Sequence, residues 1–177
     1  MPSGHAHDAI TVLLAAPTAA VAYVVTRDLP TSAIVACAFI CAGVMFGPDL
    51  DTKSKQYSRW GLLRLIWVPY RTVFRHRSRW SHGLILGTLL RVVYFLGVAT
   101  AIAFAGFTLY LYATDGILPH LGAFARGWES IGHAAGADST LQVLLATLIG
   151  MWAGAASHTL TDIAITYIKT GRAKGLL

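Results

Sequence analysis

Charge is scarce in this sequence. Only 12% of its 177 residues are charged, against about 25% in an ordinary soluble domain, which excludes both a water-facing globule and a disordered chain. Two cysteines exclude a disulfide scaffold, and 17 glycines without a triplet period exclude a collagen-like fibre. There is no internal repeat and no low-complexity tail. No Lys or Arg precedes Arg27, so the basic start of a secretory signal is missing and the first apolar segment is expected to be retained.

What remains is apolar: 55% of the residues, with a mean hydropathy of +0.59. Long apolar stretches cover 9–26, 29–47, 83–112 and 141–168, each long enough to cross a bilayer core as a helix. The expected fold is all-α: a polytopic membrane bundle of about four transmembrane helices in one integral membrane domain, 1–177. Arg27-Asp28-Leu29-Pro30 breaks the first two spans into a helical hairpin. Residues 113–140 form a Gly/Ala-rich polar connection with room for a short surface helix.

Basic residues set the expected orientation. Lys53, Lys55, Arg59, Arg64, Arg71, Arg75, Arg77 and Arg79 lie in the 48–82 loop, and Lys169, Arg172 and Lys174 follow the fourth span. Four spans put the N-terminus, this loop and the C-terminus on one face, and the positive-inside rule makes that face cytoplasmic. The expected location is therefore the inner (plasma) membrane. The net charge of +6 fits attraction to anionic headgroups. Nucleic acid is not an expected partner, because no module for it is recognisable. In the 53–75 region the basic residues interleave with Trp60, Leu62, Leu63, Leu65, Ile66 and Trp67, which reads as an amphipathic interfacial helix kinked or ended near Pro69. Trp60, Trp67 and Trp80 read as interfacial anchors.

The few ionisable groups are unevenly placed. His7, Asp8, Asp49, Asp51, His76, His82, His158 and Asp162 all map to the cytoplasmic end of the bundle, with His5 as an optional member. If the fourth span enters the core at Leu141, His158 lies ~26 Å and Asp162 ~32 Å along it, against a core of ~30 Å. Spaced i, i+4, they share one helix face. Singly, each group has an ordinary reading: Asp8 as a first-turn acid, Asp49 and Asp51 as turn residues after Gly47-Pro48, His76 and His82 as surface residues. Together, four separate pieces of chain deliver metal ligands to one layer, and an Asp inside a span normally has a functional partner. If 48–51 is extended, Asp49 and Asp51 point the same way and can face one ion. Gly43/Gly47, Gly83/Gly87 and Gly150/Gly154 form small-xxx-small pairs that let helices approach nearby. Arg91 either snorkels to the headgroups or leans toward the acids.

The series Met1-Pro-Ser-Gly, His7-Asp8, Met45-Phe-Gly-Pro-Asp-Leu-Asp51, Gln56-Tyr, Arg59-Trp-Gly61, Trp67-Val-Pro-Tyr-Arg71, His76-Arg-Ser-Arg-Trp-Ser-His82 and Ser157-His158 with Asp162 resembles the membrane-bound metal-dependent hydrolases. It is most similar to their branch of metal-binding membrane proteins. The resemblance spans about the whole chain and implies a multi-pass helical membrane protein with metal-binding His and Asp residues.

These readings lead to an expected metal-dependent hydrolase acting on a phosphoester, a phospholipid or lipid-linked phosphate, at the cytoplasmic membrane face. The ligand set exceeds what one tetrahedral zinc needs, which allows two divalent ions, zinc ahead of iron, manganese or nickel. Asp49, Asp51 and Asp162 are the expected catalytic carboxylates, and Arg75, Arg77 and Arg79 the expected phosphate-binding residues. The alternative is a non-catalytic metal-binding membrane protein, a sensor or transporter. Cys37 and Cys41 read as packing residues, and His120 and His133 fall at the opposite end.

Overall fold

The computed structural model describes residues 4–76, 78–136 and 138–171, all helical or irregular, with no strand among them. Helix α1 (Gly4–Thr26) ends at Arg27, whose φ of 54° reverses the chain. Asp28 caps α2 (Leu29–Val44) by accepting from the Thr31 N–H at 2.8 Å, with Pro30 in the first turn where its missing N–H costs nothing. The Thr31 hydroxyl and N–H hold the Asp28 carboxyl below its ordinary pKa. The hairpin expected at this break is therefore present.

Four stretches are long and apolar enough to cross a membrane: Gly4–Thr26, Leu29–Asp51, Leu86–Asp115 and Asp138–Thr170. The last two are α6 (Leu86–Asp115) and α8 (Asp138–Thr170). Between them α7 (Leu121–Ala135) fills the connection, with Gly116 at φ 66° closing α6. α2 packs against both α1 and α8, which also touch each other.

Close contact between helices explains Gly43 and the Gly150/Gly154 pair. A Cβ on Gly150 would sit 2.4 Å from the Val35 carbonyl oxygen, one on Gly154 2.2 Å from that of Phe39, and one on Gly43 2.4 Å from the Thr11 methyl. Such contacts are closer than any side chain permits, so α1, α2 and α8 meet at this depth because these positions carry no side chain.

The 53–75 region is not one amphipathic helix. It folds as α3 (Lys55–Arg59), a 3₁₀ segment (Gly61–Trp67) and α4 (Val68–Val73). Gly61, at φ 55°, breaks the first turn, and Pro69 begins α4 instead of ending a helix. The break turns Trp67 inward. Trp67 and Tyr70 are fully buried with Phe46, Leu50 and Tyr57, and Trp60, Tyr94 and Phe95 pack around them. Trp60 also donates to the Met45 carbonyl at 2.9 Å. Trp67 is thus a core residue and the half-buried Trp60 packs against it, pinning the loop to α2 and α6, while Trp80 is exposed. A four-residue helix, α5 (Arg79–His82), carries His82 ahead of α6.

Gly154→Ala is expected to lose about 1–3 kcal/mol by overpacking. Gly127→Ala, in open space on α7, should instead gain up to about 1 kcal/mol of helix propensity. Unfolding in detergent measures both, and equal shifts would refute the close-packing account.

Candidate metal centre

The site is assembled from both ends of the chain. His158 and Asp162 project from one face of α8, and both are buried. His7, in the second turn of α1, lies flat against His158, with ring centroids 3.7 Å apart and planes 8° apart. His7 Nε2 is 3.2 Å from Asp162 Oδ1, and His158 Nε2 is 3.8 Å from Asp162 Oδ2. These three residues can offer ligand atoms within 4.8 Å of one another.

Asp49, His76 and His82 form a second such group. His76 Nδ1 lies 2.8 Å from Asp51 Oδ1, and His82 Nε2 lies 3.5 Å from Asp49 Oδ1. The two groups meet at Asp49, whose Oδ2 is 3.5 Å from His158 Nε2. One carboxylate therefore faces a histidine of each triad.

The donors are poorly satisfied without a cation. His7 Nδ1, Asp49 Oδ1, Asp51 Oδ2, His82 Nε2, His158 Nε2 and Asp162 Oδ1 are buried and have no hydrogen-bond partner. Each such atom costs about 1–3 kcal/mol, and three carboxylates crowded together repel. A divalent ion removes both penalties at once. Nitrogen and carboxylate oxygen donors suit zinc and other first-row metals, so the residues fit a metal.

Seven of the expected ligands converge, but one departs. Asp8 accepts from Arg59 at 2.8 Å and from Lys55 Nζ at 2.6 Å, and this pairing lies outside both triads. The reason is helical: Asp8 follows His7 by about 100° around α1, so it faces α3 when His7 faces α8. His5 is exposed beside Lys55, 3.0 Å from its Nζ. Residues 48–51 are also not extended. Pro48–Asp51 is a 3₁₀ turn, in which residues two apart diverge by about 120°. Asp49 and Asp51 consequently face opposite nitrogens of His82, the second at 3.7 Å from Nδ1.

The described residues speak to one of the three expected phosphate-binding arginines. Arg75 is exposed, Arg77 lies outside the described residues, and Arg79 belongs to α5 with its backbone alone described. Arg91, by contrast, is buried and does not snorkel. Its guanidinium donates to the Ser81 carbonyl at 2.6 Å and to Thr88 Oγ1 at 3.1 Å, and its charge acts on Asp51 and Asp49. Beside it, burial pushes the Tyr70 hydroxyl above its ordinary pKa, against the pull of Arg91.

Gln56, whose place in the Gln56-Tyr pair gave no sign of a role, also belongs to the site. Its Nε2 donates to the Gly43 carbonyl at 2.8 Å and lies 3.3 Å from His158 Nδ1. Ser81 Oγ is likewise 3.1 Å from His82 Nδ1. Such outer contacts orient ligand imidazoles.

A family profile matches residues 2–172, nearly the whole chain. The chain belongs to the DUF2227 family of uncharacterized metal-binding proteins. No curated protein and no solved structure matches it. The family's description carries metal binding and names no reaction, in agreement with the two His/Asp groupings.

Purified full-length protein is expected to retain a divalent metal. Asp49→Ala, which opens both triads, should weaken retention by at least about tenfold, whereas Asp8→Asn should leave the metal content unchanged. Elemental analysis decides, and equal metal in wild type, Asp49→Ala and His158→Ala would remove the site.

Proposed function

We propose that the protein is a membrane-embedded, metal-dependent hydrolase that cleaves a phosphoester, a phospholipid or lipid-linked phosphate, at the cytoplasmic face. The observation that carries the reading is the Asp49 carboxylate between the two triads, 3.5 Å from His82 on one side and from His158 on the other. A carboxylate that faces both groups could serve two ions, the arrangement used for in-line displacement at phosphorus. His7, His158 and Asp162 would hold one ion, and Asp49, His76 and His82 the other. When bound, divalent ions would supply Lewis-acid activation of water near neutral pH and offset charge on the phosphoryl oxygens.

The remaining work falls to the chain. Asp51, its side chain wholly buried, orients His76 and His82 through contacts at 2.8 and 3.7 Å. Asp162 has Oδ1 3.2 Å from His7 Nε2 and Oδ2 3.8 Å from His158 Nε2, and whichever oxygen the ion leaves free would accept the proton of an attacking water. Gln56 and Ser81 hold the outer sides of His158 and His82. Arg91 ties the α5 backbone at Ser81 to α6 and so steadies His82.

Membrane residence rests on the four long apolar helices, and orientation on the concentration of Lys and Arg in the 48–82 loop and after α8. The centre then lies at the positively charged end, where anionic lipid headgroups collect.

Wild-type protein in mixed micelles is expected to release product from phosphomonoester or phosphodiester lipids and to stop on chelation. Asp49→Asn should reduce the rate by at least about a hundredfold. Metal retention with no turnover on lipid or soluble phosphoesters would overturn the hydrolase reading and leave a metal-binding sensor or transporter.

A further inference from the structure

The residues that surround Asp8 suggest what the centre receives. A cavity of about 220 Å³ opens beside the centre, and its wall combines His7, Asp49 and His158 with Asp8, Lys55 and Arg59. Whatever enters it meets metal ligands on one side and two cations on the other. We propose that Lys55 and Arg59, with Asp8 as their fixed counter-ion, form an anion subsite that holds a phosphoryl group against the metal centre.

The cations are ordered before any ligand arrives. Arg59 Nη1 donates to Asp8 Oδ1 at 2.8 Å and to the Val44 carbonyl at 2.7 Å, at the end of α2. Lys55 Nζ binds Asp8 Oδ2 at 2.6 Å. Holding two long side chains in place in advance removes an entropy cost that binding would otherwise carry. Asp8 neutralises one of the two positive charges, so the pair presents a net charge of about +1 to the cavity. The three carboxylates of the centre, offset only in part by Arg91, outweigh that charge when the centre is metal-free, and divalent metal shifts the balance toward positive. Anion binding at this subsite therefore requires metal.

Cavity size narrows the ligand. Drug-sized ligands occupy pockets of about 300–1,000 Å³, and this one is smaller. It admits a phosphoryl group with a small substituent, while an acyl chain stays outside. The source is a lipid headgroup or a soluble phosphate ester, and the subsite draws on the hydrolase reading only for the fate of the phosphoryl group.

The test uses full-length protein in detergent, loaded with zinc, and inorganic phosphate as the calorimetric titrant. Wild type should bind phosphate and lose that binding on chelation. Lys55→Ala should bind about tenfold more weakly at equal metal content, as one lost charge-assisted hydrogen bond implies. Lys55→Arg should restore affinity to within about threefold, and Arg64→Ala, an exposed charge on the 3₁₀ segment, should change it by less than about twofold. A water-soluble phosphate monoester and phosphatidic acid vesicles then separate the sources: tighter binding to vesicles indicates a headgroup, equal binding a soluble ester, and both support the subsite. Wild type that binds no phosphate, or Lys55→Ala that binds it as wild type does, overturns the proposal. If Lys55→Ala and Lys55→Gln both lose metal along with phosphate, Lys55 is a structural residue and the proposal also falls. Lys55-dependent phosphate binding without turnover of any ester sinks the hydrolase reading and leaves the subsite standing. Turnover with unchanged KM in Lys55→Ala does the reverse.

Discussion

Three carboxylates, Asp49, Asp51 and Asp162, are brought together with four imidazoles, and all of these but the half-buried Asp49 and the exposed His76 are buried. Like charges at such distances repel strongly in a low dielectric, and Arg91 is the buried cation whose charge acts on two of them. The unpartnered oxygens and nitrogens show that protein hydrogen bonds do not balance the arrangement. A cation does. The scaffold around the centre can be understood as the means of holding this repulsive set in place.

Two kinds of packing supply that hold. On the α1–α2–α8 side, the absence of side chains at Gly43, Gly150 and Gly154 brings backbones into contact, which sets His7 against His158 one to two turns away. On the other side, Trp67, Tyr70, Leu50 and Phe46 form an apolar plug that fixes the 3₁₀ turn bearing Asp49 and Asp51. Burying one such large side chain contributes about 1.5–3 kcal/mol, enough to offset part of the cost of crowding the acids. Arg91 completes the frame by joining α5 to α6 through the Ser81 carbonyl. Gly87 permits that junction, since a Cβ there would meet the same carbonyl at 2.7 Å.

Much of this was legible in the residue order. The four apolar helices followed from length and hydropathy, and His158 with Asp162 followed from i, i+4 spacing. The Asp49–Asp51 geometry did not, because Pro-Asp-Leu-Asp is compatible with an extended strand or a 3₁₀ turn, and the buried Leu50 selects the turn by pulling its side chain into the aromatic plug. The 53–75 region misled for a similar reason. Alternating basic and aromatic residues describe a membrane-surface helix and a buried aromatic cluster equally well, and only Gly61 and the space beneath Trp67 distinguish them. Asp8 and His7 are neighbours in sequence, yet adjacent helix positions face different directions.

Composition and spacing by themselves determined the all-helical class, the long apolar segments and which His and Asp residues fall at one end of them, because hydropathy and helical period are local properties of the chain. Tertiary structure alone decided that Asp49 joins two triads, that Arg91 turns inward, and that Asp8 pairs with Lys55 and Arg59. Those pairings depend on which face of one helix meets which turn of another, a relation between residues tens of positions apart that no local pattern encodes.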